Sequence, residues 1–342
     1  MSDATLALGV IGAGRIGRIH AANLATRIPG ARLAAVADID PAAARSLAEP
    51  FGATATADYR EILRDPAIGA VAICSATDTH ATIIMEAAAA GKPIFCEKPV
   101  DHDLGRIQRA LAAVAKAGVP LQIGFNRRFD PGFARARELV AAGRIGQPHL
   151  IRVTSRDPAP PPLAYVRVSG GIFLDMTIHD FDMVRFLSGS EAVDVYATGA
   201  ALVDPAIGAA GDVDTCVVTM RLANGALATI DNSRKAVYGY DQRIEVFGSA
   251  GMVAVGNRTP DGAVEYTADG VVAAKPLHFF LERYEEAYVA ELRQFVASVR
   301  EGRPVPVGGR DGLMPVIMGL AAGRSLKEGR PVRLTEIELP AS

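Results

Sequence analysis

Over its first 125 residues the chain alternates short apolar runs with segments of helical period. That is the pattern of a parallel sheet with helical crossovers. Strands are predicted at Leu6–Ile11, Arg32–Ala37, Ala70–Ser75, Pro93–Cys96 and Leu121–Gly124. Several are almost wholly apolar, as strands covered on both faces should be. Helices are predicted between them at Ile16–Arg27, Pro41–Glu49, Thr79–Ala90 and Leu104–Ala117. Asp40 before Pro41 reads as an N-cap followed by proline at the first helical position.

After Asn126 the texture changes. A helix at Pro131–Ala142 and a β-run at His149–Thr154 lead into a proline cluster, Pro158 to Pro162. Such a cluster suits neither helix nor central strand and is read as an exposed loop. A further helix is predicted from about Phe173 to Leu187. Strand-like runs follow at Val193–Ala200, Thr215–Leu222, Ala226–Ser233, Arg243–Phe247 and Met252–Val255, with Asn224-Gly225 as a hairpin turn. No helix-length pattern separates these runs, so the sheet they form is antiparallel or mixed. Two helices, about Leu281–Arg300 and Met314–Lys327, close the pattern. The fold class is therefore α/β: residues 1–125 a Rossmann dinucleotide-binding domain, residues 126–342 an α+β domain with a large, open, mostly antiparallel sheet. The C-terminal helix is expected to pack back toward the first domain.

The 342 residues carry 49% hydrophobic and 22% charged side chains, the balance of a globular protein with a full core. A net charge of −2 removes any electrostatic case for nucleic acid or an anionic membrane as partner. Three cysteines, Cys74, Cys96 and Cys216, are widely separated and make no zinc-type spacing. Cys74 and Cys96 lie in apolar runs, where buried free thiols suit a reducing compartment. The first apolar run is short and broken by glycines, and is read as neither a signal peptide nor a membrane span. The expectation is a cytoplasmic protein.

Candidate chemistry begins at Gly12-Ala13-Gly14-Arg15-Ile16-Gly17, a G-x-G-x-x-G element. It follows an apolar strand and opens a helix, the context that makes the motif specific. The glycines allow a tight turn and a close approach of backbone N–H groups to a pyrophosphate at the helix N-terminus. Asp38 stands at the end of the second strand, about 20 residues on, where a carboxylate accepts the ribose hydroxyls of NAD and repels a 2′-phosphate. NAD is favoured over NADP; Arg45 on the next helix is the one basic group that argues otherwise.

Oxidising a secondary alcohol requires a base and a cation near its oxygen. Glu97-Lys98-Pro99 ends a strand, and strand carboxyl ends line the ligand crevice of such sheets. Lys98 is then a cation delivered to the cleft, although most lysines are merely solvated. Asp175, His179 and Asp182 are spaced by four and three, which places them on one face of a helix. A histidine with carboxylates on both neighbouring turns can serve as a base. A divalent ion could also sit there, but hydride transfer to a nicotinamide needs none, and no metal is expected.

Gly12–Gly17, Glu97-Lys98-Pro99 and Asp175…His179 together resemble the glucose–fructose oxidoreductase / inositol dehydrogenase / rhizopine-catabolism (Gfo/Idh/MocA) family, over nearly the whole chain. Within it, Gln122–Asp130, Ser169–Asp182 and Tyr238–Gln242 resemble the inositol-dehydrogenase branch. The resemblance implies that Lys98 and His179 handle the proton with Asp175 as partner; the residues leave both as the direct base. It places Asp157, Asp182 and Tyr240 on substrate hydroxyls, and Asn126 and Arg127 at the cofactor–substrate junction. Ser75, Thr77, His80, Glu97 and Gln122 would line the nicotinamide side. Ser155 and Asp157 depart from some inositol dehydrogenases, which carry histidine and asparagine there, and this bears on the stereoisomer preferred.

The implied reaction is oxidation of a cyclic polyol by NAD, myo-inositol to 2-keto-myo-inositol. Paired acceptors and donors at Asp157, Asp175, Asp182, Tyr240 and His179 suit a ring bearing many hydroxyls, and the lack of an arginine cluster argues against phosphosugars. The alternatives are a dehydrogenase of scyllo-inositol or of an anhydrosugar such as levoglucosan, an NAD-dependent glycosidase, and a non-enzymatic sensor, which would lack Lys98 and His179. A homotetramer is expected, through the free face of the second sheet.

Overall fold

The protein is described here by a computed structural model covering residues 5–338. The chain divides into two compact units: residues through Phe129 together with Glu286–Met314, and Asp130–Glu285 together with Pro315–Glu338.

The first unit is a βα alternation: β1 (Leu6–Ile11), α1 (Arg15–Thr26), β2 (Ala31–Ala37), α2 (Pro41–Ala48), β3 (Thr54–Thr56), α3 (Tyr59–Arg64), β4 (Ala70–Ile73), α4 (Thr77–Ala89), β5 (Ile94–Glu97), α5 (Leu104–Ala117) and β6 (Leu121–Gly124). The six strands pair in the order β3-β2-β1-β4-β5-β6, every pairing parallel. This is the doubly wound Rossmann order, with its reversal between β1 and β4. Every residue of β4, β5 and β6 is buried, which is why those runs read as continuous apolar stretches. Asp40 caps α2 by accepting from Ala42 N, ahead of Pro41, as predicted. The pattern missed β3 and α3, which are too short to show a period.

The second unit contributes α6 (Pro131–Ala141), β7 (Pro148–Arg156), α7 (Leu163–Val166), α8 (Gly171–Asp175), α9 (Ile178–Ser188), β8 (Ala192–Ala200), α10 (Pro205–Ala209), β9 (Thr215–Leu222), β10 (Leu227–Ser233), β11 (Asp241–Gly248), β12 (Gly251–Val255), β13 (Val264–Thr267), β14 (Gly270–Ala273) and α11 (Phe280–Arg283). The chain then forms α12 (Glu285–Glu301), α13 (Gly309–Glu328) and β15 (Val332–Arg333). Seven strands pair in the order β12-β11-β7-β10-β9-β8-β15. Only β10 and β7 run parallel, so the sheet is mixed and mostly antiparallel, with Asn224-Gly225 at the β9–β10 turn. Burial alternates along β9, the mark of a sheet packed on one face only. The separate hairpin β13–β14 is exposed along its whole length; with no buried face it has no alternating pattern to read.

Most of α12 belongs to the first unit. Val289, Leu292, Phe295 and Val296 join Leu8, Val10, Leu24, Val36 and Phe95 in its core. Burying each such side chain contributes about 1.5–3 kcal/mol. Among the described residues no helix is long and apolar enough to cross a membrane.

Candidate functional site

In a parallel sheet all carboxyl ends lie along one edge. Here those ends are Gly12 after β1, Asp38 after β2, Cys74 and Ser75 after β4, Lys98 after β5 and Phe125 after β6. Gly12 has φ +104°, and a Cβ there would stand 2.6 Å from the backbone of Cys74 and Ser75; only glycine fits. A Cβ on Gly17 would stand 1.9 Å from the Gly12 carbonyl oxygen, so α1 crosses the turn at close range, whereas at Gly14 the space is open. Gly14 caps α1 without a side-chain bond, and the first turn has no acid. Its N–H groups and positive helix end are thus directed at a prospective anion.

Asp38 is held on both sides. One carboxylate oxygen accepts from Ala13 N at 2.7 Å and the other from Asp40 N at 2.9 Å. Each oxygen keeps a further lone pair for a hydroxyl. The donor set and the glycine cradle fit a dinucleotide: Gly12–Gly17 would hold the pyrophosphate and Asp38 the ribose.

Lys98 is half-buried, and the Lys98–Pro99 peptide is cis. Around it the sequence-predicted residues take two kinds of position. Arg15 is exposed, and Ile16, Ser75 and Thr77 are half-buried; the Ser75 hydroxyl lies 2.6 Å from that of Thr79. His80, Glu97 and Gln122 are buried and bonded inside the unit. His80 presents Nδ1 to the Pro99 carbonyl at 2.8 Å and Nε2 to the Ser75 carbonyl at 3.0 Å, bracing two strand ends. Glu97 meets His20 Nε2 at 2.6 Å. Gln122 donates to the carbonyl of Glu291 at 2.9 Å. Asn126 and Arg127 are buried in a 3₁₀ turn after β6. Cys74 and Cys96 are free, and burial pushes both thiols well above their ordinary range, so neither is a nucleophile.

In the second unit the predicted helix Phe173–Leu187 is two helices. It breaks at Met176-Thr177, between α8 and α9, so Asp175 ends one helix while His179 opens the next. Both are half-buried. Asp182, which spacing alone puts on their face, is 1% exposed, with Arg185 3.8 Å away; Arg185 in turn bonds Glu191 through two nitrogens. Asp157 is half-buried, its N–H donating to Ser233 O at 2.9 Å and its carbonyl accepting from Ala236 N at 2.6 Å. Tyr240 is buried against the edges of Phe279 and Tyr284.

Several supporting residues escaped the sequence reading. Arg234, 1% exposed, donates to Asp175 at 3.0 Å, and Asp212 lies 4.0 Å from its other terminal nitrogen. Tyr165 donates to the second Asp175 oxygen at 2.8 Å. Asp212 also accepts from Ile172 N, capping α8 where Gly171 has φ +76° and a Cβ would come within 3.0 Å of it. Asp175 is thus fixed from both ends of a five-residue helix. Beneath His179, Asp180 is fully buried, accepting from Ser155 at 2.5 Å and Asn232 at 2.8 Å. Arg234 and Asn232 sit some 55 residues downstream of their partners, beyond reach of any spacing rule; their one signal is polar residues ending an otherwise alternating strand.

One further group lies in the first unit. His20, Glu97 and Glu291 are all buried, with ligand-type atoms within 4.8 Å of one another. Glu291 interrupts the apolar stripe Tyr288, Leu292, Phe295 along its helix, the signal that could have found it.

Residues 6–125 match the family model described as "Oxidoreductase family, NAD-binding Rossmann fold" and residues 133–254 match "GFO/IDH/MocA C-terminal domain". A myo-inositol 2-dehydrogenase of Thermotoga maritima is 50% identical over 331 residues, 96% of this chain and 99% of that one. An inositol 2-dehydrogenase of Rhizobium meliloti is 48% identical, covering 96% and 99%. The crystal structure of a scyllo-inositol dehydrogenase from Lactobacillus casei, with bound NAD(H) and scyllo-inositol, superposes with a TM-score of 0.91 at 31% identity, covering 97% of this chain and 99% of that one.

Proposed function

The chain belongs to the GFO/IDH/MocA oxidoreductase family, and from that premise we propose that it oxidises myo-inositol to 2-keto-myo-inositol with NAD. Residues 1–125 are the NAD-binding domain and residues 126–342 the substrate domain, except that Glu286–Met314 belong to the first compact unit. The observation that carries the reading is that a dinucleotide cradle with Lys98 at the end of β5 lies in a chain 50% identical to a myo-inositol dehydrogenase over 96% of its length.

When bound, NAD supplies the hydride acceptor. The polyol loses a hydride from carbon and a proton from the same carbon's hydroxyl, leaving a ketone, NADH and a proton. Lys98 and His179 handle that proton, and Asp175, bonded by Arg234 at 3.0 Å, orients and stabilises the charged form of its partner. Asp38 sets the choice of NAD over NADP. Asp157, Asp182 and Tyr240, with Asn126 and Arg127, set the orientation of the ring. A second reading, scyllo-inositol as preferred substrate, is favoured by the likeness to the Lactobacillus casei structure.

The three free, buried cysteines suit a reducing cytoplasm. A homotetramer is supported by the outer face of the second sheet, where Tyr196, Val217, Leu227, Phe247 and Met252 are each at least 39% exposed. Light scattering that finds a monomer removes the tetramer and leaves the chemistry standing.

The test of function is NADH formation from myo-, scyllo- and chiro-inositol, glucose and levoglucosan. One NADH per myo-inositol is expected. Higher kcat/KM for scyllo-inositol establishes the second reading. Aglycone release from a glycoside without net NADH makes the protein a glycosidase, and no NADH from any polyol overturns the proposal.

A further inference from the structure

Glu291 is 0% exposed, and neither carboxyl oxygen has a hydrogen-bond partner among the described residues. A buried ionised carboxylate in that position would be very costly. Its surroundings are His20 from α1, Glu97 from β5, Cys74 beyond β4, and the amide of Gln122 on β6, which binds its carbonyl. His20 is the one potential cation among these side chains, and its Nε2 is committed to Glu97 at 2.6 Å. That contact also disfavours a metal, whose ligand atoms stand roughly 3.3–3.5 Å apart at ordinary bond lengths. Burial, and then the charge on Glu97, raise the Glu291 carboxyl well above the usual range. Glu291 is therefore a neutral acid, which can donate as well as accept.

The cluster is placed to matter for the reaction. Glu97 is the last residue of β5, immediately before Lys98. Its carboxyl lies across Gly124, where an added Cβ would come within 3.1 Å of it. His20 is on α1, three residues past the glycine turn, and packs edge-on against Phe95 of β5 and Tyr288 of α12. We propose that Glu291, with His20, is a positioning residue for hydride transfer: its ligand atom lies within 4.8 Å of those of His20 and Glu97, and its neutral carboxyl is the polar neighbour that keeps the Glu97 side chain across Gly124, which fixes the end of β5, and Lys98 after it, against the glycine-turn helix. This rests on the reading of Lys98 as a proton-handling group.

The test compares Glu291→Gln, which keeps the shape and donors of a neutral acid, with Glu291→Leu, which keeps only apolar bulk. Glu291→Leu lowers kcat about 10- to 100-fold, as a misplaced catalytic group does, with KM for the polyol little changed; Glu291→Gln restores most of it. The infrared difference between wild type and Glu291→Gln at pH 8 shows loss of one protonated carboxyl band, a readout available even if the leucine variant does not fold. Wild-type turnover in Glu291→Leu, equal loss in both variants, no protonated band, or a stoichiometric bound metal each overturns the proposal. Lys98→Ala, run alongside, separates the two claims. If it turns over normally the Lys98 reading fails; if it is crippled while Glu291→Leu is not, only the positioning role fails.

Discussion

The two units solve one problem in different ways. In the first, chain direction does the placing: strands run parallel, every carboxyl end arrives at the same edge, and Gly12, Asp38, Ser75 and Lys98 arrive with them. Asp38 and Ser75 are held by neighbours close in sequence or on the adjacent strand. In the second, directions are mixed and a strand end has no privileged side. There the half-buried Asp175 is held by distant side chains, Arg234 above all. Topology delivers functional groups without further devices in a parallel sheet, whereas a mixed sheet needs a buried polar network.

The largest expected effect probes the first arrangement. Lys98→Ala lowers kcat by about 10²–10⁴-fold, the range for loss of a proton-transfer group, with NAD affinity little changed by titration. Normal turnover would take Lys98 out of the chemistry and leave the strand-edge argument without its active member.

Arg234→Met probes the second. It removes the buried guanidinium that Asp175 and Asp212 face, and removing one partner of a buried pair costs about 3–5 kcal/mol. Denaturant unfolding should show that loss, and Asp212→Asn in the same chain should recover part of it. A stability unchanged by Arg234→Met would mean that the network does not hold α8.

Asp38→Ala should cost about tenfold in the ratio of NAD to NADP kcat/KM, roughly one hydrogen bond to a charged group. An unchanged ratio would reduce Asp38 to a brace for the Ala13 and Asp40 amides.

The smallest effect qualifies the comparison, because the first unit also contains one buried network. Glu291 binds its proton more tightly folded than unfolded. Its contribution is therefore fully present below the ordinary carboxyl range and is lost as pH rises toward its folded value. Glu291→Gln should melt above wild type at pH 8, the gap closing toward pH 5. A pH-independent gap would mean that Glu291 is ionised in the folded protein.

Legibility followed the same division. Strand pattern, the glycine turn, Asp38 and the Asp40 cap were all readable, since each depends on contacts within one βα unit. The break between α8 and α9 was not: Asp175, His179 and Asp182 carry a faultless helical spacing, and only the capping of α8 by Asp212 and the turn at Met176-Thr177 divide it. Asp182 is buried beside Arg185, a placement that spacing alone does not give.

By itself the sequence determined the two-domain α/β class, the glycine turn after β1 and the residue types able to move a proton, because periodicity and local turn chemistry are written in adjacent residues. Tertiary structure alone decided which carboxyl groups share a cation, which are sealed from solvent, and that Glu291 lies within reach of His20 and Glu97. Charge and protonation in a protein depend on what surrounds a group in three dimensions, and those neighbours come from chain positions tens to hundreds of residues apart.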